Sequence, residues 1–164
     1  MNLRFGILVA SDRAARGERL DLSGPALEEI IAAQGWQVLR KTVVPDDLTV
    51  LREALTEWAD RGDLDIILTA GGTGFSPRDV TPEATRAVIE REAPGLAEAM
   101  RTESLKITPH AMLSRAVTGI RGKVLILNLP GSPKAAMENL RVVLSVLPHA
   151  IDLLQGNPEA ENRH

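Results

Sequence analysis

Short apolar segments rich in β-branched residues alternate along this chain with longer segments of helical periodicity, and this alternation constrains the fold most. Residues 5–10, 38–44 and 65–69 are predicted strands, and residues 23–33 and 48–60 between them are predicted helices. This order predicts an α/β fold with three layers, in which helices cover both faces of a mostly parallel sheet.

The second half of the chain continues the alternation. Its predicted elements are a helix capped by Thr81 and reaching Ala93, a helix from Pro94 to Glu103, a strand over residues 123–129, a helix from Pro133 to Leu147 capped by Ser132, and a last turn or helix from Pro148 to Leu154. The segment 105–118 has no clear pattern. We expect a single domain over residues 1–156, followed by a polar, frayed tail over residues 157–164.

The composition excludes several classes of function. The formal net charge is −3, which argues against non-specific binding of nucleic acid. The chain has no cysteine, which excludes disulfides, thiolate metal sites and cysteine nucleophiles. His110 and His149 lack partners at metal-ligand spacing, which favours surface or packing roles. No apolar run of 18 residues is present, so we expect no membrane span and a cytoplasmic protein.

Ligands of parallel sheets bind beyond the carboxyl ends of the strands, and this rule selects the loops that follow the predicted strands. The loop over residues 70–79 is the most informative. Its glycines allow backbone N–H groups to converge on an anion, Arg78 is a forked cation suited to phosphate, and Asp79 can hold a divalent metal. The glycine spacing matches neither a Walker loop nor the dinucleotide fingerprint. A strained turn is the alternative, but the Arg-Asp pair favours a site for a phosphorylated small molecule.

The other loops are weaker signals. Residues 128–134 open a helix and can bind an anion with help from Lys134, although an ordinary turn explains them better on its own. Residues 11–13 are equally well explained as a ligand contact or as a polar strand exit. Asp47 is suited to cap the next helix, which leaves Asp46 free to act elsewhere. Arg115 lies in the unclear segment and can bring a second cation to a phosphate.

Taken together, these motifs resemble the molybdopterin adenylyltransferase family, that is, the MoaB/Mog group of the molybdopterin-binding fold, which is related to the N-terminal domain of gephyrin. The signature is the run at 71–74 followed by residues 78–84, and the supporting motifs lie in the family's order from residue 11 to residue 134. The loops and the resemblance together predict ligand contacts from Ser11, Asp12, Gly71, Gly72, Thr73, Gly74, Arg78, Ser114, Arg115, Pro130, Gly131, Ser132 and Lys134.

The resemblance implies a reaction. Members of the family transfer AMP from ATP to the terminal phosphate of molybdopterin, release pyrophosphate and need Mg²⁺. The two acidic positions tied to this step fall on Asp46 and Asp79, which are the implied catalytic residues and metal ligands. Ala70 departs from the threonine of many relatives, so one hydroxyl contact is absent.

Two other functions stay open at this point. A non-catalytic carrier or scaffold of the same fold would bind molybdopterin without using ATP. A distant branch of the fold hydrolyses pyridine-nucleotide-type substrates, but the pair Arg78 and Asp79 argues against it. The resemblance also implies a homotrimer or hexamer, and other molybdenum cofactor biosynthesis proteins as partners.

Overall fold

The computed structural model describes residues 1–162 and has one six-stranded sheet. Its strands and α-helices, in chain order, are β1 (Arg4–Ala10), α1 (Asp12–Ala15), α2 (Ser23–Ala33), β2 (Gln37–Val44), α3 (Leu48–Asp60), β3 (Ile66–Ala70), α4 (Thr81–Val88), β4 (Arg91–Glu92), α5 (Pro94–Leu105), β5 (Thr118–Arg121), β6 (Val124–Leu129), α6 (Pro133–Val143) and α7 (Leu147–Gln155). Three 3₁₀ segments accompany them, at Pro109–Leu113, Leu144–Val146 and Ala160–Asn162.

The sheet has the strand order β2-β1-β3-β6-β5-β4. The first four strands in that order pair in parallel, whereas β5 pairs antiparallel with both β6 and β4. The prediction of a mostly parallel sheet is therefore confirmed. Because β1, β3 and β6 are parallel neighbours, their carboxyl ends lie side by side at one edge of the sheet.

Helices cover both faces of the sheet, as the three-layer prediction requires. Phe5, Ile7 and Leu68 pack with α2, α5, α6 and α7 in one apolar core. Leu8 and Ile67, which point to the opposite face, pack with α3 and α4 in a second core. All five residues of β3 are buried, which explains why this strand is a continuous apolar run without alternation.

The helix after the glycine loop differs from its prediction at both ends. Thr81 does not cap α4, because Val80 takes the N-cap position and no side chain supplies a cap hydrogen bond. The helix ends at Val88 and not at Ala93. The residues that follow leave the helix because β4 pairs with β5, and the N–H of Ala93 donates to the carbonyl of Thr118 at 2.9 Å. A tertiary pairing of two residues overrides the helical pattern here.

The segment without a sequence pattern is fixed by a side chain from a neighbouring helix. Arg101 of α5 donates from Nε to the carbonyl of Ser114 (3.1 Å) and from Nη2 to the carbonyl of Ala116 (3.0 Å). The 3₁₀ helix at Pro109–Leu113 precedes these carbonyls and β5 follows them. Their conformation therefore depends on a residue more than ten positions away, which local periodicity does not reveal.

The C-terminal helices have other bounds than predicted. The helix predicted to run from Pro133 to Leu147 ends at Val143, and a 3₁₀ turn separates it from α7. Beyond Gly156, the tail expected to fray forms a 3₁₀ turn in which Ala160 is buried. The last two positions of that predicted tail, 163 and 164, lie outside the described residues. Within residues 1–162, no helix is long and apolar enough to cross a membrane.

Candidate active site

The floor of the site is peptide backbone, where the ends of β1, β3 and β6 meet. A Cβ on Gly71 would lie 2.3 Å from the carbonyl oxygen of Ala10, and a Cβ on Gly131 would lie 3.2 Å from the Cα of Gly71. No side chain fits between these segments. The loops after β3 and β6, which the sequence selected separately, are thus in direct contact.

Gly72 makes room for two oxygen atoms. Its φ is +68°, and a Cβ there would lie 2.3 Å from Oγ1 of Thr81 and 3.1 Å from Oδ1 of Asp46. Oγ1 of Thr81 is buried and has no hydrogen-bond partner among residues 1–162. A buried hydroxyl without a protein partner is uncommon, and this one lies beside the carboxylate of Asp46.

Asp46 is held by a reciprocal pair of hydrogen bonds with Asp12. The N–H of Asp12 donates to Oδ2 of Asp46 at 3.0 Å, and the N–H of Asp46 donates to Oδ1 of Asp12 at 3.0 Å. Burial raises the pKa of Asp46, the hydrogen bond from Asp12 opposes this rise, and the charges of Asp12 and Asp79 add to it. The neighbouring Asp47 caps α3 by accepting from the N–H of Val50, as predicted.

The guanidinium of Arg78 binds Asp12 and makes no hydrogen bond to the glycines at 71–74. Its Nε and Nη2 donate to the two carboxylate oxygens of Asp12, each at 2.9 Å. This hydrogen-bonded pair is the main reason why the pKa of Asp12 lies below its ordinary value. The side chain of Arg78 is 62% exposed, so it can exchange this partner for a phosphate without being pulled out of a packed position.

Asp79 closes a turn at the end of the loop over residues 73–79. Its N–H donates to the carbonyl of Ser76 (2.9 Å), and its Oδ2 accepts from the N–H of Ser76 (3.0 Å). A Cβ on Gly74 would lie 2.9 Å from the same Oδ2. The loop therefore folds back on itself and brings the carboxylate of Asp79 over the glycines.

Arg115 donates only to protein groups. Its Nε donates to the carbonyl of Gly74 (2.7 Å), its Nη2 to the carbonyl of Asp79 (2.8 Å) and its Nη1 to Oε1 of Glu83 (2.5 Å). Its backbone N–H donates to the carbonyl of Thr73 at 2.8 Å. The predicted contact between Arg115 and a phosphate stays a prediction, whereas the structure gives this residue four contacts to the loop and to α4.

Two cavities lie on either side of these loops. The first, of ≈ 380 Å³, is the one that both candidate catalytic carboxylates line. The predicted site residues on its wall are Ser11, Asp46, Gly71, Gly72, Asp79, Gly131 and Ser132. The second, of ≈ 280 Å³, lies beneath α5 and the 3₁₀ helix and is lined by the predicted residues Thr73, Gly74, Ser114 and Pro130.

Four predicted ligand contacts line neither cavity. Asp12 and Arg78 bind each other, and Asp12 also binds Asp46, whereas Arg115 binds the carbonyls of Gly74 and Asp79. Lys134 is 82% exposed, and its Nζ lies 3.9 Å from Oε1 of Glu138 one turn along α6. Because Lys134 lies beside Glu138 and lines neither cavity, its contact with a phosphate stays a prediction.

Several residues of the site were not found from the sequence. Ser23 lines the first cavity, and its Oγ donates to the carbonyl of Gly131 at 2.7 Å. Arg101, His110 and Asn139 line the second cavity, although His110 was assigned to packing or the surface. These residues come from helices on one face of the sheet and follow no strand, so the rule that selected the loops does not reach them.

The oxygen atoms at the first cavity are of the kind that Mg²⁺ binds. Among residues 1–162, no three His, Cys, Asp or Glu side chains gather as a metal site. Mg²⁺, however, commonly uses one or two carboxylates, several waters and the phosphates of a substrate. Asp46 and Asp79 supply the two carboxylates, and the unpartnered hydroxyl of Thr81 lies beside Gly72 at the same place.

Comparison with known proteins identifies the family. A family model described as a probable molybdopterin binding domain matches residues 6–149. The chain belongs to this family. It is 42% identical over 157 residues to the molybdopterin adenylyltransferase of Helicobacter pylori strain J99, covering 94% of this chain and 89% of that protein. The resemblance stated from the sequence motifs is therefore confirmed.

Two further relatives place the family in context. Over 165 residues the chain is 45% identical to gephyrin of Dictyostelium discoideum, covering 94% of this chain but only 23% of that protein. The crystal structure of the molybdopterin biosynthesis enzyme MoaB from Thermus thermophilus is 54% identical and superposes with a TM-score of 0.89. That comparison covers 94% of this chain and 98% of MoaB, which confirms the fold.

Proposed function

We propose that this protein is a molybdopterin adenylyltransferase, which transfers AMP from ATP to the terminal phosphate of molybdopterin and releases pyrophosphate. The observation that carries the proposal is the joint position of Asp46 and Asp79 on one cavity, beside a floor made of backbone. The names of similar relatives that match over most of their length support it. Molybdenum cofactor biosynthesis is the process in which we place it.

We assign ATP to the first cavity. It contains both carboxylates and adjoins the start of α6, where backbone N–H groups and the helix dipole favour phosphate. Asp46 and Asp79 would hold the Mg²⁺, which supplies positive charge to the departing pyrophosphate. Arg78 can also bind a phosphate of ATP, because its ion pair with Asp12 is exposed and can be exchanged for a phosphate contact.

We assign molybdopterin to the second cavity. A flat heterocycle suits a slot between α5, the 3₁₀ helix and the Pro130 turn, where Ser104, Asn139 and Ser114 offer polar edges. Its terminal phosphate would then face ATP across Gly74 and Gly131. An oxygen of that phosphate forms a bond to the α-phosphorus of ATP while the bond to the bridging α–β oxygen breaks, and pyrophosphate leaves with the bonding electrons.

The residues of the chain then act by binding and orientation alone. The reaction needs no side-chain nucleophile, since the pterin phosphate is itself the nucleophile. Asp12 orients the carboxylate of Asp46, and the Ser76 turn orients that of Asp79. Holding two ligands in line through such groups is the main source of rate in phosphoryl and nucleotidyl transfer.

Pyrophosphate release from ATP and Mg²⁺ in the presence of molybdopterin tests this function. The wild-type chain should release pyrophosphate only when the pterin is present, and Asp79→Asn should lose about a hundredfold or more in turnover. Asp47→Asn is the matched control, because asparagine caps a helix as well as aspartate and Asp47 lines neither cavity. Saturable pterin binding without any pyrophosphate would contradict the proposal and indicate a carrier.

Assembly and location belong to the same proposal. We propose a homotrimer or a hexamer, the assemblies that the resemblance implies. Self-association is supported by four large apolar side chains that are exposed within nine residues of chain beside the second cavity: Leu105, Ile107, Met112 and Leu113. We place the protein in the cytoplasm, where ATP and Mg²⁺ are supplied. Other proteins of molybdenum cofactor biosynthesis are the partners we expect.

A further inference from the structure

The loop over residues 73–79 carries Asp79, and few contacts hold it in place apart from the ion pair between Arg78 and Asp12. Phe75 in this loop is 67% exposed and packs into neither core. Inside the loop, the bonds between Ser76 and Asp79 close a turn but do not fix where the turn lies. At its base, the N–H of Thr81 donates to the carbonyl of Gly72 at 3.1 Å. Any further support has to come from outside the loop.

Arg115 supplies that support through both ends of the loop. Its backbone N–H and its Nε reach the carbonyls of Thr73 and Gly74, where the loop begins, and its Nη2 reaches the carbonyl of Asp79, where the loop ends. A guanidinium group is planar and rigid, so two carbonyls bound to one guanidinium stay at a fixed separation. The carbonyl of Asp79 belongs to the residue whose carboxylate faces the first cavity.

The charge of Arg115 is also already compensated. Its Nη1 donates to Oε1 of Glu83 in the first turn of α4, and the side chain of Arg115 is 35% exposed. Nε, Nη1 and Nη2 thus each donate to a protein group, whereas Arg78 is 62% exposed and its guanidinium, among residues 1–162, donates to Asp12 alone. Within the described part of the chain, one N–H on each of Nη1 and Nη2 stays unused, but the carbonyls of the loop and the carboxylate of Glu83 fix where the guanidinium lies.

We propose that Arg115 is a positioning residue that fixes the carboxylate of Asp79 opposite Asp46, and that it does not bind phosphate. The inference rests on the proposed function, because it takes Asp79 to be a ligand of the metal in that reaction. It replaces the role that the sequence suggested for Arg115. It also links the two cavities, since Ser114 lines the second cavity and its neighbour Arg115 holds the loop that borders the first.

The test compares Arg115→Lys and Arg115→Met with the wild-type chain. Lysine keeps the charge but cannot bind both ends of the loop, and methionine keeps only the length of the side chain. Mn²⁺ replaces Mg²⁺ as a spectroscopic probe, and its affinity is measured by electron paramagnetic resonance in the presence of a non-hydrolysable ATP analogue. We expect Mn²⁺ affinity to fall about tenfold in both variants, since hydrogen bonds from a charged donor are lost.

The matched control is Arg121→Met. Arg121 also joins a carboxylate, that of Asp60, to a backbone carbonyl, that of Val88, but it lines neither of the two site cavities. This variant should lower thermal stability to a similar degree and leave Mn²⁺ affinity unchanged. Hydrogen exchange of the amides at 74–79 should accelerate in the Arg115 variants and not in the control.

Each result decides between roles. If Arg115 binds phosphate, the affinity for the ATP analogue in the presence of EDTA will fall in Arg115→Met and be largely kept in Arg115→Lys, and our inference is wrong. If stability falls but Mn²⁺ affinity and loop exchange do not change, Arg115 has only a structural role, which also overturns it. Failure of the wild-type chain to release pyrophosphate would instead contradict the proposed function, whatever the Arg115 variants do.

Discussion

Gly72 shows how much of the site depends on the absence of a side chain. It lies between the hydroxyl of Thr81 and the carboxylate of Asp46, and its positive φ is one that L-residues with a Cβ adopt at a cost. A larger residue would therefore be penalised twice, once by its backbone conformation and once by its contacts. The two penalties can be separated by comparing this glycine with another of similar φ.

Gly72→Ala should destabilise the fold by about 3 kcal/mol or more and abolish turnover, because the methyl group strikes Oγ1 of Thr81 and displaces Asp46. The measurement is urea denaturation together with the pyrophosphate assay. Gly122→Ala is the control, since Gly122 has a φ of +57° and open space where a Cβ would stand. It should cost only about 1–2 kcal/mol and leave activity intact. Equal effects of the two substitutions would contradict this account.

Asp46 lowers stability at neutral pH while serving the site. Its pKa is raised above the ordinary carboxylate value, mainly by burial, so the folded chain takes up its charge less readily than the unfolded chain. In acid, where both states hold the proton, the residue has no effect on stability. As the pH rises past the pKa of the unfolded chain, the folded state loses stability, and the full penalty is present above the folded pKa.

Asp46→Asn should therefore raise the free energy of unfolding at pH 7 and have little effect in acid below the ordinary carboxylate pKa of about 4. The amide oxygen can still accept the hydrogen bond from the N–H of Asp12. Urea denaturation at both pH values measures the difference. A variant less stable than wild type at pH 7 would show that the hydrogen bonds of the carboxylate outweigh its burial.

At this scale, the sequence indicated two acidic residues that the structure brings to one cavity, but not the partners of the arginines. Asp46 and Asp79 follow strands, so the rule for parallel sheets and the family resemblance both indicate them. Arg78 and Arg115 follow the same rule, but their roles depend on which partner each one meets. Asp12 and Glu83 are those partners, 66 and 32 residues away in the chain, and no local pattern encodes the pairing.

Among the elements, β6 carries a buried amide that ties the layers together beneath the site. Nδ2 of Asn128 donates to the hydroxyls of Thr69 on β3 and Thr85 on α4, each at 2.9 Å. Its Oδ1 accepts from the N–H of Val117, just before β5. One fully buried side chain of β6 thus connects β3, α4 and the residue that precedes β5. It lies just before the loop that follows β6.

Asn128→Ala should lower the free energy of unfolding by about 2–4 kcal/mol, because it leaves the N–H of Val117 and two hydroxyls without a partner in the core. Urea denaturation gives the value. Asn139→Ala is the comparison, since Nδ2 of Asn139 donates to the single, partly buried hydroxyl of Ser104. It should cost about 1 kcal/mol. A smaller loss for Asn128 than for Asn139 would rule out the joining role.

The long elements were predictable and the short ones were not. The runs that became β1, β3 and β6 are apolar because they are buried on both faces, and this leaves a clear trace in the sequence. By contrast, β4 has two exposed residues and exists only because β5 lies beside it. Such a strand has no periodicity of its own, so the helix before it was predicted to continue.

At the scale of the whole molecule, one group of exposed apolar side chains lies on the segment that follows α5. Met112 is 65% exposed and Ile107 is 58% exposed, and both lie beside the second cavity on the segment that follows α5. Apolar side chains grouped in this way are typical of surfaces that another protein covers. A second copy of the chain, seated there, would also shield the proposed pterin cavity from water.

Multi-angle light scattering should give a mass three or six times that of the 17.7 kDa chain. Met112→Glu should shift the protein towards the monomer, because each interface would then bury an unpaired carboxylate. Leu39→Glu, on the edge strand β2 at the other end of the sheet, should leave the assembly unchanged. A monomeric wild-type chain would contradict the proposed assembly.

The contact between Gly71 and Gly131 limits how a chain of this fold can diverge. Both glycines line the first cavity, and Gly74 and Pro130 of the same two loops line the second, so the backbone of these loops forms a partition between the cavities. A methyl group on Gly71 would strike the carbonyl oxygen of Ala10, and one on Gly131 would press on the Cα of Gly71. New ligands can be accommodated by changing the outer walls, where side chains are free to vary. The partition cannot vary in this way, because its two segments meet at glycines that have no room for a side chain. Gly71 and Gly131 therefore stay glycine in any working variant of this site, and the proposed sites for ATP and molybdopterin stay next to each other.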